Sequence, residues 1–197
     1  MASRMAVSVP CQIGRAGGCV EGMRDMSEGQ TVTRLDGEIR AQFVAAMRWN
    51  ATSVNVITTA GRSGRFGITV SAFNPVSTEP PTLLICVNRR SPACRAIGSN
   101  SKFAVNILNE SQSFVSETFA GRSSTQSPFG FGCCSWLAGE AGMPLVQDAV
   151  ASLECVLEAL HEVRSHMLFI GRVVSVQCSE HLPLLYSCRR YGQLSRA

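Results

Sequence analysis

Residues 66–77 read Phe-Gly-Ile-Thr-Val-Ser-Ala-Phe-Asn-Pro-Val-Ser, which sets hydroxyls at Thr69, Ser71 and Ser77 on backbone whose strand ends leave donors free. An apolar run ending in Val87-Asn88 follows. Next comes Ser91-Pro92, a serine cap with proline at the first helical position. A helix N-terminus attracts anions because its unpaired N–H groups and its dipole both point outward. Between residues 60 and 102, Arg62, Arg65, Arg89, Arg90, Arg95 and Lys102 are opposed by Glu79 alone, and guanidinium forks match phosphate oxygens. Small hydroxyls at strand ends, a capped helix and an arginine-rich segment can together hold a planar, hydrogen-bonding ligand with a phosphate tail. The same residues also suit plain strands with turn serines and a solvated basic face, so the pattern alone leaves both readings open.

Other chemistries find less support. Of the 18 basic residues only Lys102 is lysine, so no Gly-Lys-[Ser/Thr] phosphate loop exists and a Schiff base would have a single candidate. His161 and His166 stand five apart, not the four that a zinc helix requires, and on a strand they point to opposite faces. Gly130-Phe-Gly132-Cys-Cys-Ser135 lacks the third glycine of a dinucleotide fingerprint, and Gly61-Arg-Ser-Gly64 does not complete a nucleophile elbow. Nine cysteines without a Cys-x-x-Cys spacing argue against a disulfide framework or zinc ribbon and for a reducing cytoplasm. Cys133-Cys134 is a vicinal pair with a minor claim to redox work. Basic residues are too few, and aromatic strand motifs too absent, for a nucleic-acid surface. No stretch approaches the roughly 18 apolar residues of a membrane span, and the first thirty residues lack the apolar core of a signal peptide.

The elements that must position these residues fit within one domain of a 197-residue chain, 45% hydrophobic and 16% charged. Residues 1–34 are polar, Gly- and Met-rich and without periodicity, and are expected to be a disordered extension ahead of a domain at 35–197; Met23 or Met26 is a candidate translation start. Asp36 is placed to cap a helix near 37–49, with Ile39, Phe43, Ala46 and Met47 at helical spacing. Strands follow at 53–59 and 66–72, joined by a Gly61–Gly64 turn, and at 82–88 after Pro80-Pro81. A short helix at 92–98, a strand at 102–108 and a helix at 111–120 come next. Residues 121–150 read as loop. Two long strands at 151–163 and 166–177 and a short one at 183–186 complete the chain. In the first long strand Glu154 and Glu158 mark a polar edge. Strands in hairpins outweigh helices without regular β-α alternation, which predicts a mainly β (α+β) fold, an antiparallel barrel with peripheral helices.

Val54-Asn-Val-Ile-Thr-Thr59, Gly67-Ile-Thr-Val-Ser-Ala72, Pro80-Pro-Thr-Leu-Leu-Ile-Cys-Val-Asn-Arg89 and Phe103-Ala-Val-Asn-Ile-Leu108 resemble the short-chain flavin reductase family, the small NAD(P)H:flavin oxidoreductases of two-component monooxygenases. The likeness runs from about Phe43 to Gly192. It implies an FMN-binding split β-barrel, usually a homodimer, that uses FMN or FAD and takes its hydride from NADH or NADPH. The resemblance further implies that the isoalloxazine ring lies on the backbone of Thr69, Val70, Ser71 and Ala72. Cys86, Val87 and Asn88 would line the ribityl chain, and Ser91 with Arg89 would hold the phosphate. Phe103 and Ala104 would wall the pocket.

The family's Gly-Asp-His triplet stands here as Arg164-Ser165-His166, which keeps His166 as the candidate catalytic contact to nicotinamide or flavin. Its Tyr-His-x-x-x-Tyr motif stands as Tyr186-Ser187-Cys-Arg-Arg-Tyr191, with serine in place of the second histidine. Reduced flavin would go to a monooxygenase partner. A flavin-binding module without turnover, or a reductase acting on another acceptor such as a corrinoid, are the alternatives.

Overall fold

The computed structural model describes residues 26–123 and 127–195. Two units separate by contact, Met1–Phe43 and Val44–Ala197. Helix α1 runs Met26–Met47, so it begins ten residues before the expected cap and Asp36 lies inside it. No proline stands between Met26 and Asp36 to stop the upstream turns. The first 25 residues of the expected extension lie outside the described residues, and the rest of it falls within α1.

The second unit is built on a seven-stranded antiparallel sheet. Its strands, in chain order, are β2 (Asn55–Thr59), β3 (Phe66–Val70), β4 (Phe73–Thr78), β5 (Pro81–Asn88), β6 (Lys102–Ile107), β9 (Ala151–Val163) and β10 (His166–Cys178). Their spatial order is β3-β2-β6-β9-β10-β5-β4. The edge strands β3 and β4 are consecutive in the chain, joined only by Ser71 and Ala72. A residue spans at most about 3.6 Å, so the sheet must curl until its two edges approach. The seam is marked by the bond from Cys86 N–H to the Ala72 carbonyl at 3.0 Å. Among the described residues β3 pairs with β2 alone, so the barrel is split there. This is the expected architecture.

Helix α2 (Pro92–Asn100) follows β5, and α3 (Ser113–Phe119) follows β6. The main core joins Ile57, Leu83, Ile85, Ile97, Phe103, Cys155 and Phe169. Gly171 makes that packing possible: a Cβ there would lie 2.6 Å from the tip of the Phe103 ring and 2.9 Å from the Cys155 Cβ. The β9–β10 pairing shifts register beside it, between Ile170 and Gly171. A second cluster gathers under α3, where Phe119 meets Phe131 and Trp136 edge-on at 5.1 and 5.7 Å.

Several details depart from the sequence reading. β4 was not expected; it pairs with β5 around the turn at Pro80. The region read as loop holds a short 3-10 helix at Phe131–Cys133 and the hairpin β7 (Trp136–Ala138) and β8 (Pro144–Val146). Glu154 is fully buried, not on a polar edge, because its carboxylate accepts from the N–H groups of Ala141 and Met143 at 3.0 Å. A third sheet, β1 (Thr52–Ser53), β11 (Leu185–Ser187) and β12 (Arg190–Gly192), closes the C-terminus. No helix among the described residues is long and apolar enough to cross a membrane.

Candidate active site

The seam between the sheet edges opens into a cleft lined by Ile68, Thr69, Val70, Ser71, Ala72, Cys86, Asn88 and His166. Antiparallel pairing of β5 with β10 brings the distant parts together: Asn88 stands opposite His166, and Cys86 opposite Leu168. Side chains alternate along a strand. Asn88 and Cys86 therefore share the cleft face, while Val87 between them points into the core with 1% exposure. Val87 is thus not a lining side chain. Burial pushes the Cys86 thiol up from its ordinary range, so it meets the cleft as a neutral group.

At one end of the cleft the chain turns into α2. Ser91 has extended backbone and its Oγ accepts from Ala93 N–H at 3.2 Å, the capping role expected of it. The Asn88 side chain accepts from Arg90 N–H at 2.9 Å through Oδ1. Its Nδ2 has no protein partner among the described residues and can donate into the cleft. Arg89 departs from expectation. Its guanidinium forms an ion pair with Glu162 and donates to the Arg164 carbonyl at 3.2 Å. Arg90, next to it, carries no ion pair among the described residues.

Phe103 and Ala104 are corrected outright. Both are fully buried on β6, flanked on either side by β2 and β9, and Phe103 fills the space beside Gly171. A strand in the middle of the barrel has no edge or end at the seam, so neither residue walls the cleft.

A second cleft shares Thr69, Val70 and Ser71 and is lined further by Val54, Ser116, Ala120, Arg122, Tyr186 and Tyr191. Tyr191 stands edge-on to Tyr186 at 5.6 Å and its hydroxyl donates to Ser116 Oγ at 3.1 Å. The Thr69 hydroxyl donates to the Ser116 carbonyl at 2.7 Å. That side chain is therefore used internally, and Thr69 offers the cleft its backbone. Ser187, where the family motif has histidine, donates to the Arg48 carbonyl at 3.3 Å. Ser116 and Arg122 were not singled out from sequence. One is an ordinary serine on a helix and the other an isolated arginine in a polar loop; only the fold places them beside β3.

The vicinal pair Cys133-Cys134 has its sulfurs 3.9 Å apart, beside the Arg65 guanidinium that lies 3.9 Å over the Phe131 ring. Burial and the neighbouring Cys133 push the Cys134 thiol up to about 12 against the pull of Arg65, so it is a poor nucleophile.

An edge strand leaves alternate N–H and C=O groups unpaired. Here such an edge borders a slot with an apolar floor (Ile68, Val70), a free amide donor and a histidine on the far wall, and a capped helix start at one end. That combination fits a planar ring with acceptors along one side and an anionic tail. The fold defines a class, a split-barrel protein, and the slot suits a phosphorylated heterocycle.

Residues 47–195 match the family model described as "Flavin reductase like domain". FMN reductase (NADH) RutF 1 of Methylorubrum extorquens is 40% identical over 158 residues, 80% of this chain and 78% of the relative. The reductase component of 4-hydroxyphenylacetate 3-monooxygenase from Salmonella typhi is 31% identical over 78% of this chain and 91% of that protein. The solved structure of Streptomyces globisporus NADH:FAD oxidoreductase SgcE6, in complex with NAD and FAD fragments, superposes with a TM-score of 0.72 at 30% identity, covering 79% of this chain and 93% of that one. The chain belongs to the flavin reductase-like domain family, and it is a flavin reductase.

Proposed function

We propose that this reductase takes hydride from NADH, reduces FMN in the cleft along β3, and releases the reduced flavin to a separate monooxygenase component. The observation that carries this reading is the meeting, at one seam, of the free β3 edge with Asn88, His166 and the Ser91-capped helix. The names of the relatives support NADH and FMN, and that of the monooxygenase reductase component supports the onward delivery.

Flavin, when bound, supplies the two-electron acceptor chemistry. The protein's part is binding and electrostatics. Backbone N–H groups at Thr69–Ser71 donate to the ring edge that gains negative charge, and are held ready by the barrel. Asn88 Nδ2 fixes the polar side chain of the ligand. The Ser91 hydroxyl, the N-terminus of α2 and the unpaired Arg90 receive the phosphate. His166 makes the polar contact to nicotinamide or flavin, and Tyr191 borders the neighbouring cleft where the nucleotide enters. No proton need be abstracted, which suits a cleft whose lining holds no carboxylate among the described residues.

The chain works as a homodimer in this reading. The outward face of β5 and β10 leaves Leu84, Leu168 and Ile170 only half-covered, and β4 beside it is exposed. All seven described cysteines are free thiols, which suits a reducing cytoplasm.

The test is NADH oxidation followed at 340 nm with purified protein, with FMN, FAD or neither added, and with NADPH substituted in parallel. Turnover with NADH and FMN well above that of free flavin is expected. A rate no higher than free flavin, with FMN still quenching the protein's tryptophan emission, would make the chain a binding module.

A further inference from the structure

The turn that precedes His166 is held from outside by a residue to which the family resemblance gives another task. Arg164 and Ser165 form the two-residue link between β9 and β10, with Val163 and His166 paired across it. Arg164 adopts φ +53, left-handed backbone that glycine accepts freely and an arginine does not. Something must hold it. The Arg89 guanidinium donates to the Arg164 carbonyl at 3.2 Å, the Arg89 N–H donates to the Ser165 carbonyl at 3.0 Å, and Glu162 anchors the guanidinium by an ion pair. Ser165 Oγ in turn lies 2.9 Å from His166 Nδ1. With Nδ1 engaged, Nε2 is the ring nitrogen left to meet a ligand.

We infer that Arg89 is a positioning residue and not a phosphate ligand: anchored by Glu162, it clamps the strained Arg164–Ser165 turn and so sets the imidazole of His166 in the cleft. The consequence for catalysis rests on the His166 contact proposed above; the clamp itself does not.

The experiment uses the full chain with Glu162→Ala, Glu162→Gln and the double variant Glu162→Ala/Arg164→Gly, and sets Glu162→Ala also on a His166→Ala background. Steady-state kinetics with NADH and FMN are measured beside nitrogen-15 imidazole spectra. Glu162→Ala should lower kcat about tenfold, since small misplacements of a contacting group cost this much, while the KM for FMN stays within about twofold. Glu162→Gln keeps an acceptor for Arg89 and should retain most of the rate. Arg164→Gly relieves the backbone strain and should restore much of what Glu162→Ala loses. On the His166→Ala background Glu162→Ala should cost nothing more. The His166 nitrogen signals should shift in Glu162→Ala and return with Arg164→Gly.

Unmoved His166 signals in Glu162→Ala would overturn the clamp. So would a KM for FMN raised about tenfold at constant kcat, the signature of a lost phosphate contact. If His166→Ala keeps full turnover, the catalytic reading of His166 fails, and the imidazole spectra still decide the clamp.

Discussion

Two segments of this chain look alike as sequence, Cys86-Val-Asn88 and Phe103-Ala104: each is a short apolar run at the end of a strand in the family-like block. The fold gives them opposite lives. β5 lies next to the edge strand β4, and its last residues reach the seam where the barrel is split, so Cys86 and Asn88 face a ligand cleft. β6 lies between β2 and β9, and Phe103 and Ala104 have no exposure at all. Nearness to an open edge together with the face a side chain takes, and not residue type, separates a cleft wall from the core: Val87, between Cys86 and Asn88, faces inward and is core. The same rule explains the backbone of Thr69–Ser71, whose polarity would be neutralised in a central strand and is available on an edge.

The contrast can be broken experimentally, and the largest effect belongs to the core side. Phe103→Ala removes a fully buried ring from the main cluster and should cost about 4 kcal/mol of stability, read by urea unfolding. At temperatures where the variant is folded its FMN affinity should match the parent; a selective loss of FMN affinity would return Phe103 to the cleft. Gly171→Ala forces a Cβ to 2.6 Å from that same ring and should cost about 2 kcal/mol, with Phe103→Leu on the same chain recovering part of it.

On the cleft side the effects fall on turnover. His166→Ala, exposed at the start of β10, should lower kcat/KM for NADH about tenfold or more, within the range of a lost polar contact, with the melting temperature unchanged. Ser91→Ala removes the cap of α2 and should cost about 1 kcal/mol together with a weaker hold on FMN over riboflavin, since only the former carries the phosphate. The smallest effect is one of reactivity. At pH 8 a thiol with its pKa near 12, as at Cys134, stays protonated, so maleimide should modify the exposed Cys178 and Cys188 and leave Cys134 untouched; labelling of Cys134 in the native protein would reopen a redox role for the vicinal pair.

Much of the framework was legible because the signals are local. The Ser91-Pro92 cap, the alternating apolar runs of the long hairpin and the Gly61–Gly64 turn depend on near neighbours, and each element lies close to where it was read. β4 is hidden in the sequence by Pro75 within it, Pro80-Pro81 after it and its exposed, largely polar composition. Glu154 was misread because a buried carboxylate is tolerable only when distant backbone donors meet it, and those come from the hairpin turn at 139–143. The candidate site is partly legible in the sequence: the segment 69–72, Cys86, Asn88, Ser91 and His166 line or adjoin one cleft. The phosphate role of Arg89 is implied by the family resemblance alone; its partners at 162–165 lie more than seventy residues away and only strand pairing brings them near.

Residue order along this chain therefore determined the strand and helix grammar and the arginine-rich segment, because propensity, capping and alternation act over a few residues, and the segments at 54–59, 67–72, 80–89 and 103–108 carry the likeness to a flavin-handling family. Tertiary structure alone decided which strands stand at the edge, which polar groups among the described residues remain unpaired, and that Arg89 meets Glu162 and the Arg164–Ser165 turn. Those outcomes depend on the closing of the sheet, which joins residues by hydrogen bonds across the barrel and leaves no trace in the spacing of any one segment.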